Sequence, residues 1–168
     1  MTSASRQGTG SQQVLAALQT ALAAEQAASY GYGVVGARLP QGSAKQGTAT
    51  ADWVAHLRAA DKLTAMISAR GGKPVPAAVA YQLPDPVQTA TEATALAALL
   101  EDRVAQAYLG IVALPESGLR NFGAQEVRAA ALRAAAWRGS TQAFPGLPTD
   151  SLRTAGDTPP DSATNAAP

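Results

Sequence analysis

Residues 25–36 read EQAASYGYGVVG, and the fold turns on how the glycines in this stretch are read. Gly31, Gly33 and Gly36 spell G-x-G-x-x-G, the fingerprint that cradles a dinucleotide pyrophosphate. That fingerprint needs a buried strand before it and a helix opening after it. Nothing upstream resembles such a strand. Counting back from Gly36, the residues Tyr32, Ser29, Glu25, Leu22, Leu18 and Leu15 alternate spacings of four and three, one face of a long helix. The glycines therefore lie within a helix, and no nucleotide partner is expected. Each mid-helix glycine costs roughly 1 kcal/mol against alanine. Ser29, Gly33 and Gly36 share one side of the helix, where close approach of a neighbouring backbone is expected to offset that cost.

Four helical segments follow from this reading. The first is expected from Ser11 to Arg38, ended by Pro40 and Gly42. The second is expected from Ala51 to Ala69, with Thr50 as its N-cap and Gly71, Gly72 and Pro74 as its stop. The third is expected from Pro86, a residue suited to a first turn, to Ala113. The fourth is expected from Leu119 to Arg138, with Gly139 closing it. Only a few residues separate the third and fourth helices, which makes them an antiparallel hairpin. The segment GGKPVPAAVAYQLPDP, residues 71–86, is different. At roughly 3.3 Å per residue it reaches about 50 Å, against about 30 Å for a twenty-residue helix, and its prolines favour an extended course. Helix pair, long crossover, helix pair is the order of an all-α, ferritin-like four-helix bundle with a long crossover between helices 2 and 3. The loop from Pro40 to Thr50 leaves other topologies open. The bundle is expected over residues 12–148, with AFPGLP at 143–148 as an apolar strap. Residues 1–11 are expected to form a flexible N-terminus, and residues 149–168 a disordered C-terminal tail.

Composition agrees with packed helices and removes several functions. The chain has 168 residues, of which 46% are hydrophobic, mostly alanine, and 15% charged. Net charge is +1, so no strong field draws nucleic acid or anionic lipid. There is no cysteine, which removes disulfides, thiolate metal sites and cysteine nucleophiles. No apolar signal core opens the chain and no apolar run is long enough for a membrane span. A cytoplasmic location, with no membrane and no nucleic-acid partner, is the expectation. An Ala/Gly-rich helix face is a candidate surface for a homodimer.

Glu25 stands out because its helical stripe is otherwise apolar or small. A carboxylate turned inward at mid-helix is costly unless paired, protonated or metal-bound. The third helix echoes it: Glu101 precedes Tyr108 by seven residues, as Glu25 precedes Tyr32. The likeness continues in Gly33-Val34-Val35 and Gly110-Ile111-Val112, and it suits two related hairpins facing each other. His56, the single histidine, lies on the stripe Trp53, His56, Ala60, Leu63, Ile67, with Asp52 one turn back as its expected hydrogen-bond partner. Arg58 and Asp61 are spaced to pair across a turn. The candidate buried polar core is therefore Glu25, Tyr32, His56, Arg58, Asp61, Glu101 and Tyr108. Trp53 and Trp137 read as core or interface anchors. Arg120, Arg128, Arg133 and Arg138 read as a mostly solvated face.

A carboxylate-bridged di-iron site takes a Glu from each of two helices and Glu-x-x-His from each of the other two. Glu25 and Glu101 meet the first requirement. Neither remaining helix meets the second, so the pattern is that of a degenerate di-iron site with no catalytic residue assigned. The favoured role of Glu25 is in a buried ion-pair network with Arg58 or another arginine, and no cofactor is expected. The alternatives are a proton-handling group and an atypical iron or manganese site on Glu25, His56 and Glu101.

The runs LQTALAAEQAASYGYGVVGARL, HLRAADKL, AYQLPDPV, LEDRVAQAYLGIV and AAAWRGSTQAFPGLP resemble a ferritin-like domain family of unknown function found mainly in actinobacteria. The resemblance spans about residues 12–148. It implies a ferritin-like helical bundle and an actinobacterial source, and it places Glu25 and Glu101 where metal-binding members of the wider superfamily carry bridging glutamates. The Glu-x-x-His motif is missing from the helix of His56, so ferroxidase or iron-storage activity is not implied.

Overall fold

The computed structural model describes residues 3–142 and Pro145. Four helices make up the fold: α1 (Ser3–Arg38), α2 (Ala44–Ser68), α3 (Ala90–Val112) and α4 (Ser117–Arg138). No strand occurs among the described residues. α1 packs against α2 and α3, and α3 also packs against α4. Tyr32 of α1 meets Glu101 of α3, while Glu25 meets Tyr108, so α1 and α3 run antiparallel. With two antiparallel hairpins, this topology obliges residues 69–89 to cross the full length of the bundle. They do so along α1. Gln19 bonds the backbone of Lys73 and Val75, Gln26 bonds Val75, and Arg38 bonds the Val87 carbonyl. From Gln19 to Arg38, α1 rises about 28 Å.

The inward seam of α1 is Val14, Leu18, Ala21, Glu25, Ala28, Tyr32, Val35 and Leu39. Its spacings alternate four and three, the 3.5-residue repeat of helices that coil around one another. This corrects the stripe drawn from the sequence. Leu18, Leu22, Glu25 and Tyr32 of that stripe are buried, but the seam is turned toward Ala21, Ala28 and Val35. Gly33 is consequently exposed, and a Cβ placed on Gly33 or Gly36 would meet nothing within 4 Å. The close approach is at Gly31 instead, where a Cβ would lie 2.5 Å from a Leu100 methyl. Gly31, Gly33 and Gly36 all fall inside α1, without the strand-turn-helix setting of a nucleotide fingerprint.

Three helix starts also move by four residues or more, and that of α4 by two, to Ser117. α1 begins at Ser3 rather than near Ser11, because extending an existing helix avoids a new nucleation. α2 begins at Ala44: Ser43 caps it by accepting from the Gln46 amide, so Thr50 is an interior residue. α3 begins at Ala90, not Pro86, because Thr89 and Glu92 form a reciprocal capping box, which satisfies two end amides at once. α4 ends where expected, with Gly139 left-handed at φ 77°. The strap at 143–148, apart from Pro145, and the tail at 149–168 lie outside the described residues.

Candidate functional site

Two tyrosine–glutamate pairs cross between α1 and α3. The Tyr32 hydroxyl donates to Glu101 Oε1 at 2.7 Å, and the Tyr108 hydroxyl donates to Glu25 Oε1 at 2.7 Å. The sequence echo is thus a structural exchange, each helix supplying the acceptor for the other's donor. All four side chains are buried. His56 of α2 lies between the two carboxylates, its Nδ1 2.6 Å from Glu25 Oε2 and its Nε2 3.0 Å from Glu101 Oε1. An ionised carboxylate only accepts. With both carboxylates ionised, both ring nitrogens donate and the ring is an imidazolium. Burial alone lowers the pKa of a histidine, but the hydrogen bonds and charges of Glu101 and Glu25 outweigh it and raise His56 to about 9.

Arg133 of α4 completes the cluster by donating from Nε to Glu101 Oε1 at 2.9 Å. It occupies on the second hairpin the place that His56 occupies on the first. Burial pushes the Glu101 carboxyl up, yet His56 and then Arg133 pull it below the usual carboxylate value. Burial pushes the Tyr32 and Tyr108 hydroxyls well above the usual phenol value, with help from Glu101 and Glu25 respectively, so both stay neutral donors. Two buried carboxylates thus face His56 and Arg133.

Asp52 and Trp137 join α2 to α4, which meet through long side chains more than through close backbones. Asp52 Oδ2 accepts from Trp137 Nε1 at 2.8 Å and lies 3.4 Å from the Tyr32 hydroxyl. It does not bond His56, whose nitrogens are both taken. The Tyr32 ring stacks at a tilt on His56 at 5.1 Å and on Trp137 at 6.2 Å. Further along, the Lys62 ammonium lies 4.2 Å from the centre of the Phe122 ring, which meets Tyr108 edge-on.

Of the sequence candidates, Glu25, Tyr32, His56, Glu101 and Tyr108 come together. Arg58 and Asp61 do not: both face solvent on the outer side of α2. Trp53 is 40% exposed, because the phase that turns His56 inward carries Trp53 toward the surface, while Trp137 is buried as expected. Arg133, which the sequence places on a mostly solvated face, instead reaches the centre. A signal for it is present in the spacing: Leu119, Phe122, Glu126, Ala130, Arg133 and Trp137 follow helical steps of three and four along α4, and Leu119, Phe122, Ala130 and Trp137 are buried.

The donor set does not fit a di-metal centre. Where Glu-x-x-His would stand, α2 carries Trp53-x-x-His56 and α4 carries Ala130-x-x-Arg133. Glu101 Oε1 already accepts three donors, and the fixed charge of Arg133 opposes a cation beside it. Glu101 Oε2, fully buried, is the one acceptor here with no hydrogen-bond partner.

Residues 17–149 match the family described as domain of unknown function DUF4439, and the chain belongs to that family. It is also similar to a solved structure, a conserved hypothetical protein from Mycobacterium tuberculosis, with 33% identity and a TM-score of 0.72 over 76% of this chain and 96% of that one. None of the curated proteins matches it. Among the described residues, no helix is long and apolar enough to cross a membrane.

Proposed function

We propose that this member of the DUF4439 family is a metal-free, ferritin-like bundle acting as a binding or structural module, with protein cations neutralising the two inward glutamates. One observation carries the reading: both nitrogens of the single histidine are engaged by the two carboxylates that a bridging metal would need. Placing a metal there requires His56 to lose a proton and release a glutamate. The ferritin-like assignment is supported by the helix order, the lengthwise crossover, and one inward glutamate on each of α1 and α3. The test is metal analysis of protein purified without chelator, followed by addition of Fe(II) or Mn(II). The expected result is substoichiometric metal, with no absorbance change and no thermal shift. One or more metal atoms per chain, lost on Glu25→Gln substitution, contradicts it.

A second reading, a single metal ion on Glu25, His56 and Glu101, draws support from the unpartnered Oε2 of Glu101. The same additions decide it, since binding there displaces the His56 proton and lowers metal affinity steeply as pH falls.

A further inference from the structure

At the end of the bundle where α1 finishes and α3 begins, Leu39, Pro40, Ala98, Leu99 and Trp137 wall an open groove of about 630 Å³. That volume suits one small organic molecule. Three charged side chains line the groove: Lys45, Asp102 and Arg138. Asp102 and Arg138 pair with each other and cancel. Lys45 is exposed and makes no ion pair among the described residues. The groove thus has an apolar wall, three hydroxyl side chains in Ser43, Thr91 and Thr94, and one positive charge, Lys45, with no ion-pair partner among the described residues.

We infer that this groove binds an amphipathic monoanion, a molecule with an apolar body and a single carboxylate. The body lies on Leu99, Ala98 and the Trp137 indole, and the carboxylate meets Lys45. The inference rests on the reading of the bundle as a binding module and names what it binds. The groove also touches the interior. Trp137 donates to Asp52, which lies beside the hydroxyl that Tyr32 gives to Glu101. A ligand on the indole is thus one short polar chain away from the buried charge cluster.

The chain has two tryptophans, and Trp53 is at the surface, so Trp53→Phe leaves Trp137 as the sole indole reporter. The probe is sodium decanoate below its micelle concentration, with decanol and decyltrimethylammonium as controls. The inference expects a saturable change in Trp137 emission with decanoate. Affinity falls about tenfold on Lys45→Glu, the loss of one charge-assisted contact. Ala95→Phe, at an exposed position lining the groove, blocks binding without touching the core. Four results overturn the inference: no saturable change in a variant that still unfolds cooperatively; equal binding of decyltrimethylammonium; insensitivity to both substitutions; and binding that appears only on dilution or after removal of residues 149–168, which assigns the groove to a second copy or to the chain's own end. The His56 ring resonances, recorded on the same sample, separate the two readings. An imidazolium without decanoate binding overturns the groove alone, and a neutral imidazole overturns the account of the interior.

Discussion

At the scale of the residue, His56 and Arg133 act as the counter-ions of an interior to which their helices otherwise bring apolar side chains, Leu63 and Ile67 from α2 and Leu119, Phe122 and Trp137 from α4. Breaking a buried ion pair by removing one partner costs about 3–5 kcal/mol, because the remaining charges stay behind in a low dielectric. Glu101→Leu strands His56 and Arg133 together and is expected to lose that much stability in urea unfolding; a loss under about 1 kcal/mol contradicts the network. Tyr108→Phe removes a donor to a charged acceptor and is expected to cost about 1.5–3 kcal/mol, read from the shift of the same transition. The members of the two Glu–Tyr pairs were legible in the sequence, because a carboxylate in an apolar stripe is costly enough to be meaningful and the same spacing occurs twice; that each tyrosine bonds the glutamate of the other helix was not. The partners of these glutamates were less legible. Asp52 sits one helical turn from His56, so sequence spacing pairs them. Space pairs Asp52 with Trp137 and Tyr32 from other helices. Arg58 and Asp61 satisfy a turn-spacing rule and still point to water, since that rule says nothing about which face is buried.

At the scale of the element, ends and glycines set how closely the rods meet. A Cβ on Gly123 of α4 would lie 3.1 Å from both the Ile111 Cβ and the Val112 amide nitrogen of α3, neither of which can swing aside. Gly123→Ala is expected to destabilise by about 1–3 kcal/mol, the cost of overpacking. Gly33→Ala, exposed on α1 with open space around it, is expected to stabilise by up to about 1 kcal/mol. Thermal melts of the two variants shift in opposite directions if this assignment of glycine roles holds. Thr89→Ala breaks the capping box of α3 and is expected to cost about 1 kcal/mol, measured the same way. Helix number and order were readable from periodicity and from Pro and Gly punctuation. The starts of α2 and α3 were not, because Pro86 and Thr50 each carry a plausible start signal, while Ser43 and the Thr89–Glu92 pair satisfy more end amides.

At the scale of the whole molecule, the fold is two helical hairpins facing each other across a cluster to which every helix contributes a charge. Glu25 comes from α1, His56 from α2, Glu101 from α3 and Arg133 from α4. The long linker announced the topology, since its length and prolines allow a lengthwise crossing. The central chemistry was hidden because it depends on which long side chains fill the space between α2 and α4. The cluster makes global stability depend on pH in two windows. His56 has a folded pKa of about 9 against 6.5 when free. Its contribution is complete below pH 6.5 and is lost as pH rises through about 9. Glu101 is shifted the other way, down from 4.5; its contribution is complete above that value and is lost as pH falls. The His56 and Glu101 contributions to unfolding free energy are thus both complete between these windows and decline on either side, with the alkaline decline reduced in His56→Gln; the raised carboxyls of Asp52, Asp102 and Glu126 act against the acid-side decline. The most direct measurement is the ¹⁵N and ¹H NMR of the His56 ring as a function of pH. A doubly protonated ring at pH 7, titrating only near pH 9, is the predicted result; a neutral ring at pH 7 with an ordinary midpoint near 6.5, or a ring nitrogen bound to metal in the purified protein, would contradict it.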